Sequence, residues 1–146
     1  MKKVRLQYVI ALIAAFFASS SGCVQSKAPV LKGSKWTARQ EMFVADAGTM
    51  TINHTLEFLS EKDVVVKEEG YLPAHPQMYM NPDGTVDTVP ARSFESLLDG
   101  TYTFKDGVLT IKTKDGSREY KLQENGTFTR QESWGETLEF SRVKED

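Results

Sequence analysis

Residues 101–122 read TYTFKDGVLTIKTKDGSREYKL, and the fold is decided by this stretch. Apolar side chains recur at every second position through Tyr102, Phe104, Leu109, Ile111, Tyr120 and Leu122, the period of half-buried strands. Asp106-Gly107 and Asp115-Gly116 interrupt the alternation. Asp-Gly suits a two-residue type I′ turn, because both central positions need positive φ. Turns at these pairs set Phe104 against Leu109 and Tyr102 against Ile111, then Ile111 against Tyr120 and Leu109 against Leu122. Every pair is apolar, which is the test that matters, since a one-residue slip sends each side chain to the opposite face.

The same reading extends outward. Trp36, Ala38, Met42 and Val44 share one face of a first strand, and Met50, Ile52, Leu56 and Phe58 share one face of a second. A five-residue loop from Ala45 to Thr49 pairs Val44 with Met50, Met42 with Ile52, Ala38 with Leu56 and Trp36 with Phe58. At Asn125-Gly126 a three-residue loop with Gly126 in a bulge sets Leu122 opposite Phe128. Around Trp134-Gly135 two registers stay open, while Thr137 to Val143 alternates through Leu138 and Phe140. With Val64 to Glu69, and a strand near Tyr71, the count is about eight. The sequence therefore predicts an all-β antiparallel up-and-down meander closing into a barrel, whose interior is filled by side chains or holds one small ligand. Ser93 to Leu98, with Ser93 as N-cap and Gly100 as stop, is the one expected helix.

Upstream of the barrel, Lys2, Lys3 and Arg5 precede an apolar run from Tyr8 to Ala18 and the small residues Ser19 to Gly22. That is the layout of a secretory signal peptide. A membrane-spanning helix needs about 20 apolar residues, more than this run supplies. Ser20-Ser21-Gly22-Cys23 resembles a bacterial lipobox, with Ser20 where an aliphatic residue is usual. The resemblance implies cleavage before Cys23 and palmitate-type lipidation of its thiol. As the sole cysteine, Cys23 has no disulfide partner within the chain. The expected organisation is a lipoprotein signal peptide at 1–22, a lipidated tether at 23–32 and a barrel domain at 33–146. Val24 after the cysteine fits an outer-membrane destination in the bacterial cell envelope, with the membrane itself as first partner. Loss of the leader removes three of the 18 Lys and Arg, leaving 15 against 20 Asp and Glu, a balance of −5. A mildly acidic chain without a basic stripe is not built for nucleic acid.

Gly33-Ser34-Lys35-Trp36, opening the first strand, resembles the Gly-x-Trp signature of lipocalins and the wider calycin group, with one extra residue in the spacing. The resemblance is to small bacterial lipocalin-like lipoproteins and covers roughly Leu31 to Val143. It implies that Arg142 packs across Trp36 in a structural role at the closed end of the barrel. It carries no fixed ligand motif.

The candidate binding residues come from exceptions to the pattern. Gln40 and His54 interrupt the apolar face of the first hairpin, and the expected register sets them opposite each other. They are either a ligand-contacting pair within a cavity or an internally satisfied hydrogen bond. Gly70 to Ala91 holds Pro73, Pro76, Pro82 and Pro90 together with Tyr71, Met78, Tyr79 and Met80. A loop this long is a lid, a contact surface or an insertion over the barrel mouth. His54 and His75 are the only histidines, and with one cysteine they assemble no metal set. No nucleophile elbow, phosphate-binding glycine loop or Cys/His pair is present, so neither an enzyme nor a cofactor is expected. Two functions remain: binding of a small apolar or amphipathic ligand in the barrel, or a protein-interaction scaffold of the envelope with a filled barrel.

Overall fold

A computed structural model of the chain describes residues 27–145; the expected leader and Cys23 lie outside the described residues. The strands are β1 (Lys35–Val44), β2 (Gly48–Phe58), β3 (Asp63–Leu72), β4 (His75–Pro76), β5 (Thr88–Val89), β6 (Arg92–Lys105), β7 (Val108–Thr113), β8 (Gly116–Leu122), β9 (Phe128–Gln131) and β10 (Thr137–Arg142). Eight of them close an antiparallel barrel in the order β1-β10-β9-β8-β7-β6-β3-β2, and β4 pairs with β5 apart from it. Among the described residues no helix is long and apolar enough to cross a membrane.

The alternation read from the sequence sets which face is inside. Trp36, Leu56, Phe58, Val64, Leu109, Ile111, Tyr120, Phe128 and Phe140 are fully buried. Their rings meet edge to face, Trp36 on Phe128 at 4.9 Å, Phe58 on Tyr102 at 4.8 Å and Tyr120 on Phe140 at 5.3 Å between centroids. Each such side chain contributes about 1.5–3 kcal/mol by leaving water. One end of the barrel is closed by the incoming chain. Leu31 is buried there, Gly33 N donates to Phe58 O at 2.7 Å, and Trp36 Nε1 donates to Ser34 Oγ at 2.9 Å. Arg142 is the Cα partner of Trp36 across β1 and β10, but it is exposed. The guanidinium that lies over core rings is that of Arg130, 5.6 Å from the centroids of Tyr120 and Phe140.

Asp106 and Gly107 form the expected tight turn, with φ of 52° and 78°, and Phe104 lies opposite Leu109 and Tyr102 opposite Ile111. Leu122 faces Phe128, with Gly126 at φ 81° in the connecting loop. Two registers differ from expectation, each by two residues. The first loop is Ala45 to Ala47, so Val44 faces Gly48, Met42 faces Met50 and Trp36 faces Leu56. Asp46 at φ 65° lets the chain reverse in three residues. Likewise the β7–β8 turn is Lys114-Asp115, and Leu109 faces Tyr120 while Ile111 faces Arg118. A shift of two keeps every side chain on its face, so alternation alone leaves it undetermined.

The expected helix at Ser93 to Leu98 is strand. Its backbone joins an uninterrupted ladder in which Asp63 to Leu72 pair with Arg92 to Thr101, and that ladder outweighs a local capping signal. Gly70 to Leu72 belong to β3, and the proline-bearing segment beyond is a hairpin arm. His75 faces Val89, Gln77 N donates to Asp87 O, and Asn81 N donates to Thr85 O near the Pro82-Asp83-Gly84 tip. The arm extends the β3–β6 hairpin from the end of the barrel opposite Leu31.

Candidate functional site

At that open end the interior changes from apolar to polar. Four of the strands enclosing it carry, on their inward positions, a residue that does not belong to an apolar core: Gln40 on β1, His54 on β2, Glu68 on β3 and Arg118 on β8. The turn between β9 and β10 adds Glu136. These groups form one chain of contacts across the mouth. Arg118 Nη1 donates to Glu68 Oε1 at 2.8 Å. Glu68 Oε1 lies 3.4 Å from His54 Nδ1. His54 Nε2 meets Gln40 Oε1 at 3.1 Å, and Gln40 Nε2 donates to Glu136 Oε2 at 2.7 Å. Trp134 Nε1 donates to the same oxygen at 3.1 Å.

The proton inventory follows from this geometry. Gln40 gives its amide hydrogens to Glu136, so its oxygen faces His54 and Nε2 of the ring is the donor. The other ring nitrogen, Nδ1, is buried without an aligned hydrogen bond among the described residues. It faces an acceptor, Glu68 Oε1, as Nε2 faces the Gln40 oxygen. The His54 ring beside Glu68 and the Arg118 guanidinium bonded to it hold this carboxyl down to about 2, against the opposing effect of burial. The amide of Gln40 and the indole of Trp134 likewise lower the Glu136 carboxyl.

Next to this chain, Arg130 Nε donates to Glu132 Oε1 and Nη1 to Tyr120 Oη at 3.2 Å. Arg130 is only 7% exposed although it is charged.

Of the residues singled out from the sequence, Gln40 and His54 meet inside the barrel. They do so diagonally, since Gln40 is the register partner of Ile52 and His54 that of Ala38. Tyr71 is on the outer face of β3, exposed and away from the mouth interior. Met78 and Tyr79 are exposed on the arm, with Met80 beside them. His75 is also on the arm, its Nδ1 3.1 Å from Pro73 O. No group of three or more His, Cys, Asp and Glu among the described residues is placed to hold a metal ion. Glu68, Arg118, Arg130 and Glu136 were not singled out. The signal was available for three of them: Glu68 shares its parity with Val64 and Val66, Arg118 with Tyr120, and Arg130 with Phe128, the same exception that marked Gln40 and His54.

Comparison with known protein families, with characterised proteins and with solved structures returns no match to this chain. The site's polar groups are largely spent on one another, and surface clefts of about 320 to 570 Å³ are lined by neither Gln40 nor His54. The arrangement ties strands together across the mouth.

Proposed function

We propose that this chain is a lipocalin-like envelope lipoprotein, anchored through lipid on Cys23, whose barrel is a filled scaffold presenting its hairpin arm to a protein partner. The observation that carries the reading is the interior. Seven aromatic rings and the Gln40–His54 pair occupy the place where a ligand would sit, and both amide atoms of Gln40 are spent on His54 and Glu136. The arm supplies what the interior lacks. Met78, Tyr79, Met80 and Val86 are exposed on it, and Met and Tyr side chains make adaptable contact surface. A partner that meets apolar and aromatic side chains on an ordered hairpin gains area without ordering a loose loop.

The test is deletion of Met78 to Asp83 in the full-length protein in its membrane. Crosslinks to a specific envelope protein should vanish while the thermal unfolding midpoint stays within a few degrees. Unchanged crosslinks refute the reading.

A second reading rests on one feature. Met42, Val44, Met50 and Leu72 are half-buried on the inward face above the polar chain and together with Ile52 offer an apolar wall beside charged groups. Such a wall suits an amphipathic molecule at the mouth rather than in the core. Native mass spectrometry of the full chain released from detergent should then retain a hydrophobic compound, and a bare polypeptide mass argues against it.

A further inference from the structure

The barrel wall has a gap. β8 and β9 form two ladder pairs, Lys121 with Thr129 and Leu122 with Phe128, and then part. In an antiparallel ladder alternate residues turn both backbone groups to the same neighbour. Leu122 N donates to Gly107 O, whereas Gln123 N donates to Thr127 O, so even positions of β8 serve β7 and odd positions point toward β9. On β9, Glu132 N donates to Glu136 O, so even positions serve β10 and Thr129 and Gln131 point toward β8. The next pair that would exchange backbone hydrogen bonds is Glu119 with Gln131, and it does not form. The N–H and C=O groups of Ser117, Glu119 and Gln131 therefore face each other across the gap without a ladder partner.

The gap is a cleft of about 570 Å³, lined by both strands and floored by Arg118, Arg130 and Glu132. Arg130 Nε and Nη1 are bonded to Glu132 and Tyr120. Its Nη2 has no partner among the described residues. It is not fully buried, and Arg130 lines the cleft. A guanidinium in a residue only 7% exposed, with one nitrogen unpaired among the described residues, lines this cleft together with Arg118, whose Nη1 is bonded to Glu68. The other weak seam differs: between β1 and β10 the Gln40–Glu136 hydrogen bond spans the opening.

We infer that this cleft receives an extended peptide segment of another protein, added as a strand along β8, with an acidic side chain turned inward onto Arg130 and Arg118. Strand addition satisfies Ser117 and Glu119 through the backbone, and alternate side chains then point inward, which is how such edges combine affinity with selectivity. A carboxylate fits because it accepts from a guanidinium with charge assistance. The seam is separate from the arm, so the two proposals stand or fall independently.

The experiment is affinity selection on the full-length protein in detergent, using blocked pentapeptides randomised around a central Asp and the same library with central Asn. The Asp library should be retained at least about tenfold better. Ser117→Pro should abolish retention, because it removes a cleft-facing N–H while leaving the β7 ladder intact. Arg118→Gln should narrow the difference between the two libraries, and Arg118→Gln combined with Arg130→Gln should equalise them. Bound Asp peptide should also slow amide exchange at Ser117, Glu119 and Gln131, the three odd positions, more than at Arg118. Equal retention of the two libraries overturns the proposal. So does retention lost in Arg118→Gln but kept in Ser117→Pro, which marks an anion site without strand addition.

Discussion

Gly70 is a position where one methyl group has a large foreseeable effect. A Cβ built there falls 1.8 Å from Phe94 Cε1, so the ring of Phe94 lies where any side chain at 70 would be. Phe94 is 46% exposed and can swing outward. Gly70→Ala should therefore cost about 1–2 kcal/mol in urea unfolding. In the background of Phe94→Ala the same change should cost close to nothing, and equal costs in both backgrounds would contradict the contact. Glu68 makes the second residue-scale prediction. Its folded carboxyl titrates near 2, below its ordinary value of 4.5. The stability it supplies is thus complete above about pH 4.5 and is lost as pH falls through about 2. Urea unfolding of the wild type should weaken over that interval more steeply than that of Glu68→Gln. Parallel pH profiles would show that the His54 and Arg118 contacts do not stabilise the charged form.

Among the elements, turn chemistry decided more than strand propensity. Asp106 and Gly107 were legible because type I′ geometry demands positive φ from both, and both adopt it. Asp106→Asn should be neutral or stabilising by a few tenths of a kcal/mol, since Asn also tolerates that region. Asp106→Val should cost about 1–2 kcal/mol, because a β-branched residue is forced there against its Cβ. Thermal unfolding of the two variants checks the order. The register of β1 on β2 and of β7 on β8 was not legible to within two residues. Val44 opposite Gly48 and Val44 opposite Met50 both keep Trp36, Leu56 and Phe58 inside, and only the positive φ of Asp46 and the packing of buried Ala47 select the tighter loop. Ser93 to Leu98 shows the converse. Its capping residues are a local preference worth about 1 kcal/mol, and a continuous ladder with β3 outweighs it.

For the molecule as a whole, the two ends carry different work. The chain enters at the end closed by Leu31 and Trp36, and the arm leaves from the other. From Asp63 through β3 to Pro82 is about 20 residues, at most roughly 65 Å of extended chain. With Cys23 lipidated, the arm tip is thus expected to stand well away from the bilayer while the closed end lies against it. A fluorophore at Asp83→Cys, in liposome-anchored protein whose remaining thiol is lipidated, should be shielded from a headgroup quencher. One at Val30→Cys should be quenched. Equal quenching would place the barrel on its side. Replacement of Cys23 by Ser should release the protein from membranes.

The sequence by itself determined the barrel's strand count, the all-β class and the inside of most barrel strands, because parity is a local property that each residue declares with its own polarity. It also marked Gln40 and His54, for the same reason. Tertiary structure alone decided how far each strand slides along its neighbour, that Ser93 to Leu98 is extended, and that β8 and β9 part beyond the Lys121–Thr129 pair. Those outcomes depend on closing a ring of strands. The translation of one strand fixes where all the others run out of partners, and no single strand carries that sum.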